Sequence, residues 1–506
     1  MKIQSWLLLS LLAPLCMSAS AQDKAAAKPA ESAQPTLAQK AEALTEEQVK
    51  QSHDVAALSK LAQLYNSQHD MQRFTWALAR VSELMPNSGD LKLQLAMAYA
   101  KVDDKTHAYD TLMHMQIQGF GYDIAKDPRF DPIHGTKVWD YIVANLQVNA
   151  KQFGEGKVSF ELPNGDYLFG ALGWDAKRKQ FLVGSARAGT IQHADGAGKL
   201  SDFIVANADN GLWGVDAIGV DDAHGKLYVA SSAAPQYKGF DKDNAGKAGV
   251  FEFDLVSGKL VQKYILPQAD GVHRLSSIVV GKDGAVYAAD GARKEIYKLD
   301  GNALKLLISN PRLSAITALA LSDDGKTLYL ADFVMGIFGF DLTKSTAFEL
   351  AYNPEKLVLG GINDLHWYDG NLIATEGGMV PRRVVRLKIA ADGRSIAGVM
   401  PLDVSQPAFD DLGQGVVVDD GFYLVANRQN ALYDKNGVLT DPTQLEPTSI
   451  FRSNLRFAWG QSGVGSDIAP VGVANPGDVR KPQPQPQPQP TKAATEAKPP
   501  SGDGKH

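Results

Sequence analysis

The chain is nearly free of cysteine: there is one in 506 residues, Cys16. It lies just after the apolar run Leu7 to Leu15, behind the single cation Lys2 and ahead of Ala19-Ser20-Ala21. A short positive start, an apolar core well under the roughly 20 residues a bilayer requires, and a small-x-small site read as a cleaved secretory signal over residues 1–21. Cleavage there leaves a mature chain without cysteine, which excludes disulfides, zinc-thiolate sites and cysteine nucleophiles. No later apolar run approaches membrane-spanning length. A basic excess is also missing. Lys and Arg number 51 against 57 Asp and Glu, a net charge of −6 that becomes −7 once Lys2 is removed. With no Lys/Arg run, the electrostatic footprint of a nucleic-acid binder is absent. Nor is there a Gly-x-Ser-x-Gly elbow, a phosphate-binding glycine loop, a His-Glu-x-x-His pair or a dinucleotide fingerprint. The expectation is an exported protein, periplasmic or secreted, that does not span the membrane.

What the chain does have is repetition. Six times between Leu168 and Asn427 an apolar strand, an Asp/Gly/Lys-rich turn and a second apolar strand recur, as in Ala217 to Ser231, Ala318 to Asp332 and Gly415 to Asn427. With Val183, Val229, Ala288, Leu330, Ala374 and Val425 aligned, the spacings are 46, 59, 42, 44 and 51 residues. A period of roughly 40–50 residues built from short strands marks propeller blades, and six copies predict six blades over 155–460. The strand Lys157 to Leu162 or the late strand Ser449 to Ser453 would complete the last one.

Residues 41–150 follow a helical period instead. Leu61-Ala62 and Tyr65 return as Leu95-Ala96 and Tyr99, and Leu78 and Val81 as Leu112 and Met115, each 34 residues on. That spacing resembles the tetratricopeptide repeat, which implies a groove for a protein or peptide partner or a module that packs on the propeller. Residues 22–40 read as a flexible linker. Residues 466–506, with Lys481 to Pro490 alternating Pro and Gln, read as a disordered tail. The fold class is therefore α+β multidomain: a short tetratricopeptide-like helical module followed by an all-β six-bladed propeller.

Thr317 to Asp332, Ile362-Asn363-Asp364-Leu365 and Val215 to Asp221 resemble blades of the gluconolactonase, senescence-marker and paraoxonase group of propellers, a pattern shared with NHL-type propellers. The resemblance implies a calcium ion at the channel mouth and lactone hydrolysis. Asp216, Asp332, Asn363 and Asp364 are the residues that could supply its oxygen ligands. The group's first-blade glutamate has no counterpart in Tyr167 to Trp174, and Thr317 stands where an asparagine is usual. His273 and His366, near blade starts, are the candidate general bases. Arg274, Glu376, Arg382 and Arg383 are the candidate ligand-binding residues, the last three in an unusual loop, Glu376-Gly-Gly-Met-Val-Pro-Arg-Arg383. Asp221, Asp254, Asp283, Asp323, Asp324, Asp369 and Asp419 read as turn chemistry. Two functions follow. The first is an exported binding or scaffolding protein holding a partner in the helical groove and a small-molecule ligand in the propeller mouth. The alternative is a calcium-dependent lactonase or esterase-type hydrolase.

Overall fold

A computed structural model describes residues 44–268 and 271–459. The expected signal with Cys16, the linker 22–40 and the tail 466–506 lie outside the described residues. Four helices, Val55–Ser67, Met71–Leu84, Gly89–Lys101 and Lys105–Ile117, form two pairs whose starts recur 34 residues apart (55 to 89, 71 to 105). Each begins where a side chain accepts a backbone N–H that the first turn leaves unpaired: Asp54 from Ala57, Asp70 from Arg73, Ser88 from Leu91, Asp104 from His107. Thr136 caps the final helix, Lys137–Asn149, in the same way.

The module is seated on the propeller. Ala96, Leu112, Phe130 and Trp139 share one apolar cluster with Val358 and Met379 of the propeller. Asn87, buried between the pairs, donates from Nδ2 to the Met335 carbonyl (2.9 Å). Its Oδ1 accepts from Leu359 N (3.1 Å) and the Tyr352 hydroxyl (3.0 Å). Gln118 Nε2 donates to the Pro354 carbonyl and Gly121 N to that of Val380.

Residues 157–454 form six four-stranded antiparallel sheets. The second strands, such as Gln180–Ser185, Lys226–Ser232 and Thr327–Asp332, are buried on both faces between neighbouring blades. This is why they read as unbroken apolar runs rather than alternating ones. Innermost in each blade lie Phe169–Asp175, Gly214–Asp221, Leu275–Val280, Ile316–Leu321, Ile362–Tyr368 and Gly415–Val418. Both candidate closing strands take part. Thr448–Asn454 is third in the sixth blade, and Lys157–Leu162, from the other end of the chain, pairs outside it. Antiparallel connection brings the starts of all inner strands to the same end as the loops joining second and third strands. That end is the channel mouth, and the helical module sits on it over blades four and five.

Asn87→Ala strands the Met335 carbonyl and the Leu359 N–H in a buried seam. A loss of about 2–4 kcal/mol is expected, read as a lower urea midpoint, and an unchanged midpoint would show that the seam does not depend on Asn87.

Candidate functional site

Five of the six inner strands carry a bulge near their first residue, which places Gly170, Asp216, Ser276, Thr317 and Asn363 at equivalent positions around the channel mouth. Two of these side chains stitch their blade to the next. Ser276 Oγ donates to the Ile316 carbonyl and Thr317 Oγ1 to that of Ile362, each at 2.7 Å. Asn363 Oδ1 accepts from Gly377 N at 2.9 Å. Gln414, from blade six, reaches across the axis and donates from Nε2 to the Ser276 carbonyl of blade three at 2.8 Å.

Asp216 stands apart. Its side chain is 8% exposed and its Oδ2 has no partner. Arg274 Nε lies 3.8 Å from Oδ1, a charge contact too long for a hydrogen bond. Burial pushes the Asp216 carboxyl up to about 6; nearby Asp290 adds to the shift, and Arg274 and Ser232 counter it. Arg274 is itself held from the far side, where its Nη1 donates to Gln236 Oε1 at 2.9 Å, while 41% of its side chain stays exposed. The next wall of the mouth is built by absence. Gly170 and Gly413 leave room for the stem of Arg428, since a Cβ on either would lie 3.4 or 2.9 Å from Arg428 Cδ. Arg428 Nη2 bonds Asp411, but its buried Nε has no partner. Buried beneath the mouth lie an unpartnered acceptor on Asp216 and an unpartnered donor on Arg428, two groups that a native fold seldom leaves unmatched without water or a ligand.

Over blade one the mouth is roofed. The loops 233–247 and 426–447 meet where a Cβ on Gly437 would lie 2.1 Å from the Pro235 carbonyl oxygen. Arg187 ties them, donating to the Gln236 and Gly437 carbonyls and to Asp166, which also accepts from the Tyr433 hydroxyl.

The remaining expected site residues occupy other roles. Asp332 accepts five bonds, from the N–H groups of Ser314, Ala315, Val334 and Met335 and from Ser314 Oγ, so its carboxylate clamps two loops and has no capacity for an ion. Asp364 Oδ2 accepts from Gly415 N of the next blade and from His366 Nε2, both at 2.7 Å. The calcium set Asp216, Asp332, Asn363 and Asp364 is thus not assembled as expected, and among the described residues no three His, Cys, Asp or Glu come together as a metal site. His273 is buried with Nδ1 against Asp290 (2.6 Å) and Nε2 against the Pro267 carbonyl (2.9 Å), which leaves it no nitrogen for a substrate. Glu376 and Arg383 are register partners on neighbouring strands and form a buried ion pair with each other. Burial pushes the Glu376 carboxyl up against the pull of Arg383. Arg382 makes a rim contact with exposed Asp410 at 3.7 Å. Of the expected ligand-binding residues, Arg274 alone stands beside Asp216. Gln236, Gln414 and Arg428 were not expected, because each reaches the mouth from a segment whose local sequence resembles an ordinary loop.

No family model and no curated protein matches the chain. Solved structures similar to it include a PQQ-bound aldose sugar dehydrogenase from Streptomyces coelicolor, at 15% identity over 60% of this chain and 98% of that one, TM-score 0.41. A gluconolactonase from Xanthomonas campestris matches at 14% identity over 61% and 92%, TM-score 0.39. A luciferin-regenerating enzyme matches at 16% over 59% and 95%, TM-score 0.41. Likeness at this level assigns no activity to the chain. No helix of the described residues is long and apolar enough to cross a membrane.

Asp332→Ala leaves four backbone N–H groups without an acceptor in a fully buried position. A loss of about 3–5 kcal/mol is expected in urea unfolding, and added calcium should not restore it; stability near wild type would return Asp332 to the list of candidate ligands.

Proposed function

We propose that the protein is a hydrolase of small lactones or esters working at the propeller mouth, with Asp216 as its general base. The observation that carries this reading is the buried Asp216 carboxylate with one unpartnered oxygen beside a half-open arginine. A base of pKa about 6 is mostly ionised at neutral pH yet basic enough to accept a proton from water in the transition state. In the proposed step Asp216 Oδ2 takes a proton from a water molecule as the water oxygen attacks the acyl carbonyl. Arg274, anchored through Gln236, faces the oxyanion that develops, and charge stabilisation of this kind is strong where water is excluded. The leaving alkoxide regains the proton from Asp216, so the carboxylate returns ionised. Calcium enters no step, because Asp332, one of its four expected ligands, is spent on the fold, and the expected residues do not come together.

The partner-binding reading is favoured less. Its helical module shares an apolar cluster with the propeller, which suits a rigid wall of the mouth better than a free peptide groove.

Turnover of five- and six-membered lactones or p-nitrophenyl acetate should rise with pH through about 6, and Asp216→Asn should lower kcat/KM at least 100-fold. No turnover, or a variant as active as wild type, would sink the proposal. A second readout separates function from folding. Because the folded pKa is raised above the usual 3.8, stability is lost as pH climbs between about 4 and 6. Asp216→Asn mimics the protonated form, so it should be more stable than wild type at pH 7, by up to about 3 kcal/mol, and equal to it at pH 3.5. Equal stability at pH 7 would mean the carboxylate is not strained by burial.

A further inference from the structure

The larger half of the roof over blade one, the loop 426–447, narrows to a neck where it joins the propeller. Asn427 donates from Nδ2 to the Pro447 carbonyl and accepts from Ser449 N, while Gln429 donates to the Glu446 carbonyl and accepts from Glu446 N. Gln429 itself bends the chain at φ 63°, a left-handed conformation uncommon outside glycine. Beyond the neck the loop bonds to itself. Tyr433 and Leu439 form a β-bridge, Thr440 N bonds the Leu432 carbonyl, and Asp434 Oδ1 accepts from Asn436 N and Val438 N.

From Arg428 to Pro447 Gly437 alone is buried, so no side chain of this segment is sunk in a core. The contacts that hold it down are polar. Arg187 Nη1 donates to the Gly437 carbonyl at 2.8 Å, and the guanidinium lies 5.6 Å from the centre of the Tyr433 ring. The Tyr433 hydroxyl donates to Asp166 and Asn164 Nδ2 to the Leu445 carbonyl, each at 2.8 Å. Water replaces such contacts at little net cost, and a segment that buries no apolar side chain opens far more readily than the whole fold unfolds. A unit bonded within itself, joined at a neck and held down by a polar latch is built as a lid.

The latch also reaches the site. The same Nη1 of Arg187 donates to the Gln236 carbonyl at 3.1 Å, and the Arg187 carbonyl accepts from Lys238 N at 2.8 Å. Gln236 Oε1 in turn accepts from Arg274 Nη1, on the arginine beside Asp216. One nitrogen therefore ties both the lid and the support of Arg274.

We propose that residues 428–447 are a lid over the mouth, latched by Arg187, and that the latch sets Arg274 through Gln236, so that the site is complete only with the lid down. Arg187 and Gln236 are then positioning residues. What the lid regulates rests on the hydrolase reading; the lid and its latch rest on the geometry alone.

A single thiol tests both parts without turnover. Asp216→Cys is made in the full chain with Cys16→Ser, which leaves no other cysteine, and is labelled with N-ethylmaleimide. Labelling slower than that of a free thiol is expected, faster by about tenfold in Arg187→Ala and partly restored in Arg187→Lys. A thiol placed instead at buried Ala288 is reached only through global unfolding, and its rate should not change in Arg187→Ala. The pH dependence of labelling reads the second part, because a neighbouring cation favours the thiolate. Arg274→Gln should raise the apparent pKa of the thiol at this position by about half a unit, and Gln236→Ala and Arg187→Ala should each do the same. Free-thiol rates with the latch intact, rates unchanged in Arg187→Ala, or equal acceleration at the Ala288 position overturn the lid. An apparent pKa that moves in Arg274→Gln but not in Gln236→Ala overturns the positioning role. Since no turnover is read, the lid can fail while the hydrolase reading stands, and the reverse.

Discussion

The pairing of Lys157–Leu162 with Thr448–Asn454 is the constraint on which the rest depends. Two segments nearly 300 positions apart complete one blade, and without that pairing the ring has two open edges. The seam is reinforced where it begins. Phe153 and Val404 exchange both backbone hydrogen bonds, and Asp403 accepts from Gly156 N and from Ser453 Oγ, drawing blade five, blade six and the incoming chain together. Burial pushes the Asp403 carboxyl up, and the hydroxyl and N–H that surround it pull back. The same seam fixes the helical module, which immediately precedes Phe153 and is pinned again through Asn87. The mouth is therefore assembled from blades that take their places only when the ring closes, and the Gln414 contact with the opposite blade is available only then.

Within that ring, buried polar groups divide by what satisfies them. The second-strand residue that pairs with the inner-strand residue just before the bulge serves the same purpose in four blades. Ser185 and Ser231 accept from loop N–H groups, Asp290 from Arg274 N and Arg293 N, and Asp332 from four N–H groups and a hydroxyl. A charged group tolerates such burial only when its oxygens are matched, and these are. Glu376 takes the position in blade five with Arg383 as its partner. Asp216 and Glu376 are each buried carboxylates with one oxygen unmatched, but Glu376 has its charge paired by a close arginine, whereas Asp216 has Arg274 only at 3.8 Å.

The architecture was legible because its causes are local. Six strand–turn–strand units show in the sequence since second strands buried on both faces must be apolar throughout, and the helix starts show because Asp54, Asp70, Ser88 and Asp104 sit where a first turn needs an acceptor. The site was legible in part. Arg274 and Asp216 were placed at the mouth by their position at blade starts, but nothing near Asp332 distinguishes a loop clamp from a metal ligand. That distinction rests on Ser314 and Ala315, which return to Asp332 only through the strand pairing. Arg428 could not have been found from its own surroundings, because its place is defined by the missing side chains of Gly170 and Gly413, one of them on a different blade.

The two ends of the channel follow from a single geometric fact. Inner strands of a six-bladed ring converge enough for one glutamine side chain to reach the opposite blade, so Gln414 can divide the axis without any dedicated wall. On the mouth side, bulges turn polar side chains toward the axis, and charge gathers there under the roof made by the loops around Pro235 and Gly437. On the far side no bulge intervenes, the strands keep their regular pleat, and aliphatic residues line the space until Trp367 and the Lys282–Asp323 pair at the rim. Charge chemistry suits the mouth, because a developing oxyanion needs polar groups turned toward the axis, and the bulged end provides them.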